Sequence, residues 1–468
     1  MNHQKIINRD VSMLFSKALE RFINLSPIPV MVRILLERVL SPENIDTLFE
    51  RHAENQYCRE LLFSTLFDMM GLVVTKVFPS INAVYVSKTS DIGVSISSVY
   101  NKLNGLEPVI SSALVRETAV DMKKIIDDIG GRKKPLLAGF RIKMLDGNCI
   151  EASERRLSVL RDQSAAPLPG KSLVFYEPEL ELATHVFPCE DGHAQERSLL
   201  GDVLKTVEEK DLIISDRNFC VRTFLGGIHQ KNAFFICRYH QQVPYEEKGK
   251  SKFVGNCDTG RVFEQWIEID NGNGQNIRVR RIVIKLKSKT RDGDTEIVLL
   301  TNLSKKSASA LVVADLYRKR WSIETVFQEL ESHLNSEINA LGYPRAALFG
   351  FSVSLVAYNV MSVIKAALRT VHGEETVANE LSGYYIAGEI ERTQAGMNVA
   401  IPDEEWDFFN KMDDKKFSGY LIELAKNVEM EKYKKKKRSP KKPPLDKKPS
   451  SSPHVSTFKL LNSVCLSP

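Results

Sequence analysis

Residues 136–240 contain strand-like and helix-like stretches in an order that few folds allow. The stretch "GFRIKMLDG" places Phe140, Ile142 and Met144 at every second position, as a strand with one buried face does. Two more strands are predicted by "KSLVFYEP" and "LATHVFPC", and "HAQERSLLGDVLKTVEE" returns to helical spacing. The stretches "DLIISD", "RNFCVRTFLGGIHQ" and "AFFICRYH" then predict a strand, a helix and a strand.

This order is that of a ribonuclease H-like α/β domain, provided that one more helix completes it. The stretch "YRKRWSIETVFQELESHL", which begins at Tyr317, predicts a single helix that closes the domain. Residues 241–303 hold only strand-like pieces, separated by turn clusters such as "DNGNG". We therefore predict an α/β fold in which residues 136–240 and 304–345 form the ribonuclease H-like domain and 241–303 form a β-rich insertion.

The regions on either side of this domain are predicted to be helical. In residues 1–130, stretches such as "IPVMVRILLERVL" space their apolar positions by three and four. Within them, "DIGVSISSVYNKLNGLE" fits either a helix-turn-helix or an ordinary helical hairpin. In residues 346–430, "AALFGFSVSLVAYNVMSVIKAAL" is long and apolar, but it contains Asn359 and several serines. We predict a buried packing helix there and no membrane contact.

The positive charge of the chain is concentrated at its carboxyl end. Residues 431–468 carry a net charge of +9, which leaves −3 for residues 1–430 of a chain whose total is +6. The stretch "EKYKKKKRSPKKPPLDKKPSSSP" is rich in lysine and proline, so we expect a disordered basic tail. Its alternatives are contact with DNA phosphates or a solvated tail that only aids solubility. The start "MNHQKIINRDVSMLF" has no basic head and apolar core, so we expect a cytoplasmic protein.

Three acidic residues stand where the predicted fold would bring them together. Asp146 follows the first strand, Asp216 follows the fourth, and Glu324 lies on the closing helix. Three carboxylates with open positions suit Mg²⁺ or Mn²⁺, and two such ions support in-line phosphoryl transfer. Each acid also has an ordinary interpretation: Asp146 in a hairpin turn, Asp216 as a helix cap, and Glu324 as one exposed helical carboxylate among many.

The predicted closing helix carries a polar stripe. Tyr317, Arg320, Glu324 and Glu331 are separated by three, four and seven residues, so their side chains fall within roughly 60° around the axis. Leu316, Ile323, Phe327, Leu330 and Leu334 lie on the flank beside this stripe. Such a helix could bury one side and present a tyrosine, an arginine and a carboxylate to a polar partner.

"LDGN", "ISDRNF" and "YRKRWSIETVFQELE" together resemble the three catalytic segments of the DDE transposases of bacterial insertion sequences. The match is to insertion sequence family four, the branch with a Tyr-Arg-Glu-Lys signature, and it spans roughly residues 136–370. The resemblance implies that Asp146, Asp216 and Glu324 are the metal-binding catalytic triad, with two Mg²⁺ or Mn²⁺ ions. It also implies that Tyr317 and Arg320 hold a phosphate of the transposon end.

The resemblance further implies DNA as the partner, both as transposon ends and as target. The expected DNA contacts include Arg318 and Lys319, and the basic tail adds Lys434, Lys435, Lys436, Lys437 and Arg438. The family cuts two ends together, which implies a homodimer in a paired-end complex. Its cut-and-paste mechanism consists of hydrolysis at the 3′ end, a hairpin intermediate and strand transfer. Residues 1–130 would bind the DNA ends.

The chain departs from the family signature at several positions. Glu331 stands where the signature has a lysine, which reverses the charge at an expected DNA contact. Asn148 and Asn218 replace small residues after the two aspartates, and Glu296 and Ile297 stand where some relatives place a base-stacking tryptophan. Trp266, in the insertion, could stack a flipped base or serve as a structural aromatic.

Two other functions remain open on the sequence alone. A ribonuclease H-like nuclease would cut DNA without joining it. A transposase-derived DNA-binding protein without activity would bind terminal repeats, and Glu324→Gln would then change nothing measurable.

Overall fold

The computed structural model describes residues 16–56, 59–150, 153–154, 157–161, 165–290, 293–436 and 455–464. Its amino-terminal part is helical, as the apolar spacing predicts. The helices there are α1 (Lys17–Leu25), α2 (Pro27–Val39), α3 (Pro42–His52), α4 (Phe63–Val74), α5 (Ile81–Ser87), α6 (Thr89–Ile92), α7 (Ile96–Gly105) and α8 (Pro108–Asp128).

Helix α3 shows how local sequence sets these elements. Ser41 accepts a hydrogen bond from the backbone N–H of Asn44 at 3.3 Å, and Pro42 occupies the first helical position. Both features satisfy or remove amide groups that the first turn leaves unpaired. Ile45 and Phe49, four residues apart, point from one face into the core.

A mixed sheet forms the centre of the molecule. Its strands are β1 (Arg141–Ile150), β3 (Gly170–Glu177), β4 (Leu182–Cys189), β5 (Asp211–Ser215), β6 (Phe234–Arg238), β7 (Glu246–Glu247), β8 (Lys252–Asn256), β9 (Gly260–Asp270), β10 (Asn276–Leu286) and β11 (Glu296–Thr301). Their order is β4-β3-β1-β5-β6-β11-β10-β9-β7, with β8 on β9. A separate short strand, β2 (Pro167–Leu168), precedes β3 and lies outside this sheet.

The middle of the sheet is parallel. β1 pairs with β5, and β5 pairs with β6, in the same direction, while β3 and β4 continue the sheet from β1 in antiparallel fashion. The connection from β5 to β6 runs through helix α11 (Arg222–Gln230), as parallel neighbours require. Helix α10 (Leu200–Lys205) lies between β4 and β5, so the three-strand, helix, strand, helix, strand order predicted for residues 136–240 is present. A short helix, α9 (Ser158–Arg161), lies between β1 and β2.

The strands of residues 241–303 extend the same sheet. β11 pairs with β6 in antiparallel fashion, and β10 and β9 follow it outward. The "DNGNG" cluster closes the β9–β10 hairpin, where Gly272 and Gly274 adopt positive φ values of 86° and 76°. Residues 241–303 therefore supply the outer strands of the central sheet.

Alternating side chains divide the sheet between two cores. Leu145 and Ile213 face one core, which helix α11 covers with Phe224 and Leu225. Residues at the other parity, such as Met144, face a larger core. That second core includes residues of the two helices that precede and follow Arg320, α12 (Ala310–Arg318) and α13 (Trp321–His333).

The long apolar helix α14 (Pro344–His372) lies inside the protein. By length and composition it could cross a membrane, but 94% of its most apolar window is buried. It packs against α8 and the edge strand β4. The polar residue that argued for a packing helix, Asn359, is fully buried and bonds to the backbone of β4. The prediction of a buried helix is confirmed.

The described carboxyl-terminal part is mainly helical, and some of it lies in the segment that was predicted to be a disordered tail. Its helices are α15 (Glu374–Glu380), α16 (Gly383–Ala400), α17 (Asp403–Asn410), α18 (Asp414–Lys426) and α19 (Thr457–Val464). A 3₁₀ turn covers Met430–Tyr433, and β12 (Val455–Ser456) pairs with β2. The prediction of disorder throughout 431–468 was therefore wrong for 431–436 and 455–464, because backbone pairing with distant segments orders them.

Candidate active site

The ends of the parallel strands β1 and β5 bring two aspartates side by side. Parallel pairing of these strands ends at Leu145 and Ser215, and Asp146 and Asp216 are the next residues. Both have the same parity as Met144, so they continue the face of the sheet on which α12 and α13 lie.

The prediction that the first strand ends at Asp146 needs correction. β1 continues to Ile150, and its second half pairs only with β3, so that Asp146 faces Val174. Asp146 therefore stands inside a strand, and its Asp-Gly pair is not a hairpin turn. Its Oδ1 accepts a hydrogen bond from the backbone N–H of Gly147 at 2.9 Å. The helix-cap interpretation of Asp216 also fails, because its side chain makes no capping hydrogen bond to the described 3₁₀ turn.

The predicted single helix from Tyr317 is broken. Helix α12 ends at Arg318 and α13 begins at Trp321, with Lys319 and Arg320 in a tighter turn between them. The backbone N–H of Arg320 bonds to the carbonyl of Tyr317 at 3.0 Å, a three-residue step rather than a four-residue one. The sequence does not reveal this turn, because the residues on both sides of it have helical propensity.

Arg320 holds the site together despite this break. Its Nη1 donates to Asp146 Oδ2 and its Nη2 donates to Glu324 Oε1, each at 2.7 Å. The hydroxyl of Tyr317 points to Asp216 Oδ1 at 3.4 Å, which is long for a hydrogen bond between a hydroxyl and a carboxylate. The structure thus gathers all three predicted acids around the Tyr317–Arg320 turn. Both Tyr317 and Arg320 are themselves only 6% exposed.

The electrostatics of the site follow from burial. Burial raises the pKa of Asp146 to about 6, although Arg320 and the N–H of Gly147 act in the opposite direction. Burial also raises the pKa of Tyr317, and the carboxylate of Asp216 adds to that rise. For Arg320, burial lowers the pKa, but Asp146, Tyr317, Asp216 and Glu324 outweigh it and the net shift is upward. Arg320 is therefore a permanent cation.

The three acids suit a divalent cation in chemistry, but they do not surround one position. Mg²⁺ and Mn²⁺ prefer carboxylate oxygens, and Asp146, Asp216 and Glu324 supply them. Within the described residues, however, no group of three or more His, Cys, Asp or Glu side chains converges closely enough to hold a metal ion. The guanidinium of Arg320 lies between two of the three carboxylates. Any ion held there would need oxygens that Arg320 now uses.

The predicted DNA-binding cations lie in two places. Arg318 and Lys319 are exposed beside the site, where both pair with Asp315 and Arg318 also pairs with Asp258. Of the tail residues, Lys434 pairs with Glu380 and Glu431, Lys435 donates to the carbonyl of Ala378, and Lys436 lies over the ring of Tyr385. Lys437 and Arg438 lie outside the described residues. Glu331 is exposed on α13.

One acidic residue near the site was missed from the sequence. Glu196 accepts a hydrogen bond from the side chain of Asn218, and Arg197 donates to the carbonyl of the same asparagine at 2.8 Å. A Cβ at Gly147 would lie 2.1 Å from Glu196 Oε1, so the glycine leaves room for this carboxylate beside Asp146. No motif in the sequence marks Glu196, because "HAQERSLL" predicts only the start of a helix.

Trp266 has cationic neighbours rather than an open stacking face. The Arg278 guanidinium lies 4.7 Å from its ring centroid and the Lys305 ammonium lies 6.0 Å away. The ring is half-buried. These contacts favour the structural interpretation of Trp266.

Comparisons with known proteins find similarity to transposases. Residues 176–360 match the family model of the transposase DDE domain, a range that includes Asp216, Tyr317, Arg320 and Glu324 and begins after Asp146. The chain is 22% identical over 199 residues to "Probable transposase for insertion sequence element IS5377" of Geobacillus stearothermophilus, covering 42% of this chain and 48% of that protein. It is 26% identical over 161 residues to "Putative transposase y4zB" of Sinorhizobium fredii, covering 34% and 43%.

These similarities are partial. The chain spans about half the length of the curated relatives that it matches. A solved structure of a piggyBac transposase synaptic complex with hairpin DNA aligns over 86% of this chain and 81% of its own, at 11% identity and a TM-score of 0.32, which is too low to support an argument about the fold. The family match and the transposase relatives show that this part of the chain is similar to the transposase DDE domain.

Proposed function

We propose that this protein catalyses cut-and-paste transposition of a bacterial insertion sequence by metal-dependent phosphoryl transfer. The single observation that carries the proposal is the gathering of Asp146, Asp216 and Glu324 around the Tyr317–Arg320 turn. Residues 136–240 and 304–345 form the ribonuclease H-like catalytic domain in this proposal. The strand order β4-β3-β1-β5-β6, with its parallel middle, supports that assignment.

Asp146, Asp216 and Glu324 are the residues that would hold Mg²⁺ or Mn²⁺. When bound, such ions lower the pKa of an attacking water and stabilise charge on the leaving oxygen. The chain itself orients the carboxylates: the sheet fixes Asp146 and Asp216, and α13 fixes Glu324. Arg320 offers a planar fork that suits phosphate oxygens, so it would position the scissile strand.

The remaining assignments extend this proposal. The likeness to the Tyr-Arg-Glu-Lys branch of insertion sequence family four favours hydrolysis at the 3′ end, a hairpin intermediate and strand transfer. Residues 1–130 would bind the element ends, and two copies of the chain would act together in a paired-end complex. Exposed Arg318 and Lys319 would contact the DNA backbone near the site. The reaction would take place on DNA in the bacterial cytoplasm.

The test is cleavage of a labelled duplex that carries the element's own end, with Mg²⁺ or Mn²⁺. We expect Asp146→Asn, Asp216→Asn and Glu324→Gln each to abolish cutting while DNA binding persists. Asp202→Asn, at an exposed acid paired with Lys205, is the matched control and should cut like the wild type.

The products decide between the proposed function and its alternatives. Joined strands support transposition, whereas cutting without joining would indicate a nuclease. Cutting that survives all three substitutions would overturn the catalytic assignment. A wild type that binds the ends but never cuts them would indicate a DNA-binding protein without activity.

A further inference from the structure

Arg320 neutralises two of the proposed metal ligands at once. Its side chain is 7% exposed and lies between Asp146 on β1 and Glu324 on α13, whose side chains are 20% and 32% exposed. Both contacts, at 2.7 Å, are charge-assisted hydrogen bonds of good length. In this position the guanidinium neutralises the negative charge of the two carboxylates, as a bound metal cation would.

The hydrogen bonding of the Arg320 guanidinium is incomplete. Its Nε is buried and has no hydrogen-bond partner among the described residues. A buried donor without a partner costs free energy that another arrangement could recover. A phosphate group can accept from Nε and Nη of one arginine together, which the two separated carboxylates do not do here.

Arg320 also lies next to exposed residues at the protein surface. The residue is in the turn between α12 and α13, and the next residue, Trp321, is 61% exposed with its ring 5.6 Å from the guanidinium. The exposed Arg318 and Lys319 precede it. An anion drawn to these cations would approach the side of the turn from which Arg320 can be reached.

We propose that Arg320 is a latch that competes with a divalent cation for Asp146 and Glu324, and that a DNA phosphate opens the latch by taking the guanidinium. The inference rests on the proposed function. Competition follows because the cation and the guanidinium need the same oxygens and repel each other at short range. Metal loading is thereby coupled to the presence of DNA, which limits cutting to the assembled complex.

The experiment measures Mn²⁺ binding directly, without catalysis. Electron paramagnetic resonance of free Mn²⁺ gives the dissociation constant for the full chain without DNA. We expect Arg320→Gln to bind Mn²⁺ roughly tenfold more tightly than the wild type, a size typical of coupling between two ligands. Arg320→Lys, which keeps the charge but loses the fork, should fall between them and serves as the second variant if Arg320→Gln unfolds. Arg132→Gln, at a surface arginine paired with Asp127, is the charge-matched control.

A second arm adds a 20-base-pair duplex, with Mn²⁺ binding to the DNA alone subtracted. The duplex should tighten Mn²⁺ binding to the wild type and leave that of Arg320→Gln unchanged. Equal Mn²⁺ affinity in the wild type and Arg320→Gln, with Asp146→Asn weakening both, would overturn the latch and leave the metal site intact. Mn²⁺ binding that ignores Asp146 in every variant would overturn the latch and the proposed metal chemistry together.

Discussion

Arg280 on β10 and Glu264 on β9 form a buried ion pair that fixes the outer strands of the sheet to the start of α12. Arg280 is 0% exposed, and its Nε donates to Glu264 Oε1 at 2.6 Å. Its Nη1 donates to the carbonyl of Ala308 at 2.8 Å, just before the helix that carries Tyr317. Lys305 also contacts Glu264. The strands of residues 241–303 therefore support the candidate site through this arginine.

Removal of Arg280 should destabilise the protein strongly. Arg280→Met leaves a buried carboxylate with less compensation, and we expect a loss of about 3 kcal/mol in the free energy of unfolding, measured by urea denaturation. Arg278→Met, two residues earlier and exposed, is the control and should cost less than about 1 kcal/mol. A loss at position 280 no larger than that at 278 would contradict the structural role of the pair.

Asn359 should be needed to hold the edge strand. Its side chain accepts from the backbone N–H of Ala183 and donates to the carbonyl of Ala183, both at 2.8 Å. Asn359→Leu leaves the backbone N–H and carbonyl of Ala183 buried without these partners. We therefore expect a loss of about 2–4 kcal/mol in the free energy of unfolding and faster hydrogen exchange in β4. Asn24→Leu, at an exposed residue of α1, is the control. Unchanged exchange in β4 would show that these hydrogen bonds do not hold the strand.

His185 should make the protein sensitive to acid. Its burial, together with the positive charges of Lys143 and Arg116, lowers the pKa of His185 to about 3. The unfolded chain binds the proton near pH 6.5 and the folded chain does not, so stability is full above pH 6.5 and falls as the pH is lowered toward 3. At pH 5 the expected loss is about 2 kcal/mol.

Urea denaturation of the wild type and His185→Gln at pH 8 and pH 5 tests this. The variant should lose about 2 kcal/mol less than the wild type between the two pH values. His193→Gln, at an exposed histidine, should follow the wild type. An identical pH response in all three proteins would assign the acid sensitivity to other groups.

If the proposed function is right, Glu331→Lys introduces the lysine of the Tyr-Arg-Glu-Lys signature and should strengthen DNA binding. Glu331 is exposed on α13, the helix that carries Glu324. One new phosphate contact should steepen the slope of log K against log salt concentration by about 1. Glu404→Lys makes the same charge change at an exposed residue of α17. If both variants change the slope equally, the effect is general charge and not a contact at position 331.

Periodicity predicted most of the elements and their order. The alternation of Phe140, Ile142 and Met144 and the buried run "DLIISD" correspond to β1 and β5, and the polarity of Asn359 correctly predicted a core helix. These features are local, because one buried face imposes its period on the sequence wherever the element packs. Two aspartates at the ends of predicted strands and a glutamate on the predicted closing helix were enough to nominate the candidate site.

Other features depended on contacts between distant segments. Asp146 lies inside β1 because β3 pairs beyond it, and 455–456 form a strand because β2 lies alongside. The turn at Arg320 breaks a stretch whose propensity is helical throughout.

The sequence by itself determined which residues were candidates for the site and which elements carry them. Only the tertiary structure decided that Arg320 turns inward between Asp146 and Glu324, which lie 178 residues apart in the chain by number. A periodic pattern says which side of a helix is polar, but a charged side chain takes the position where opposite charges and burial balance its desolvation. That balance exists only once strand and helix are packed together.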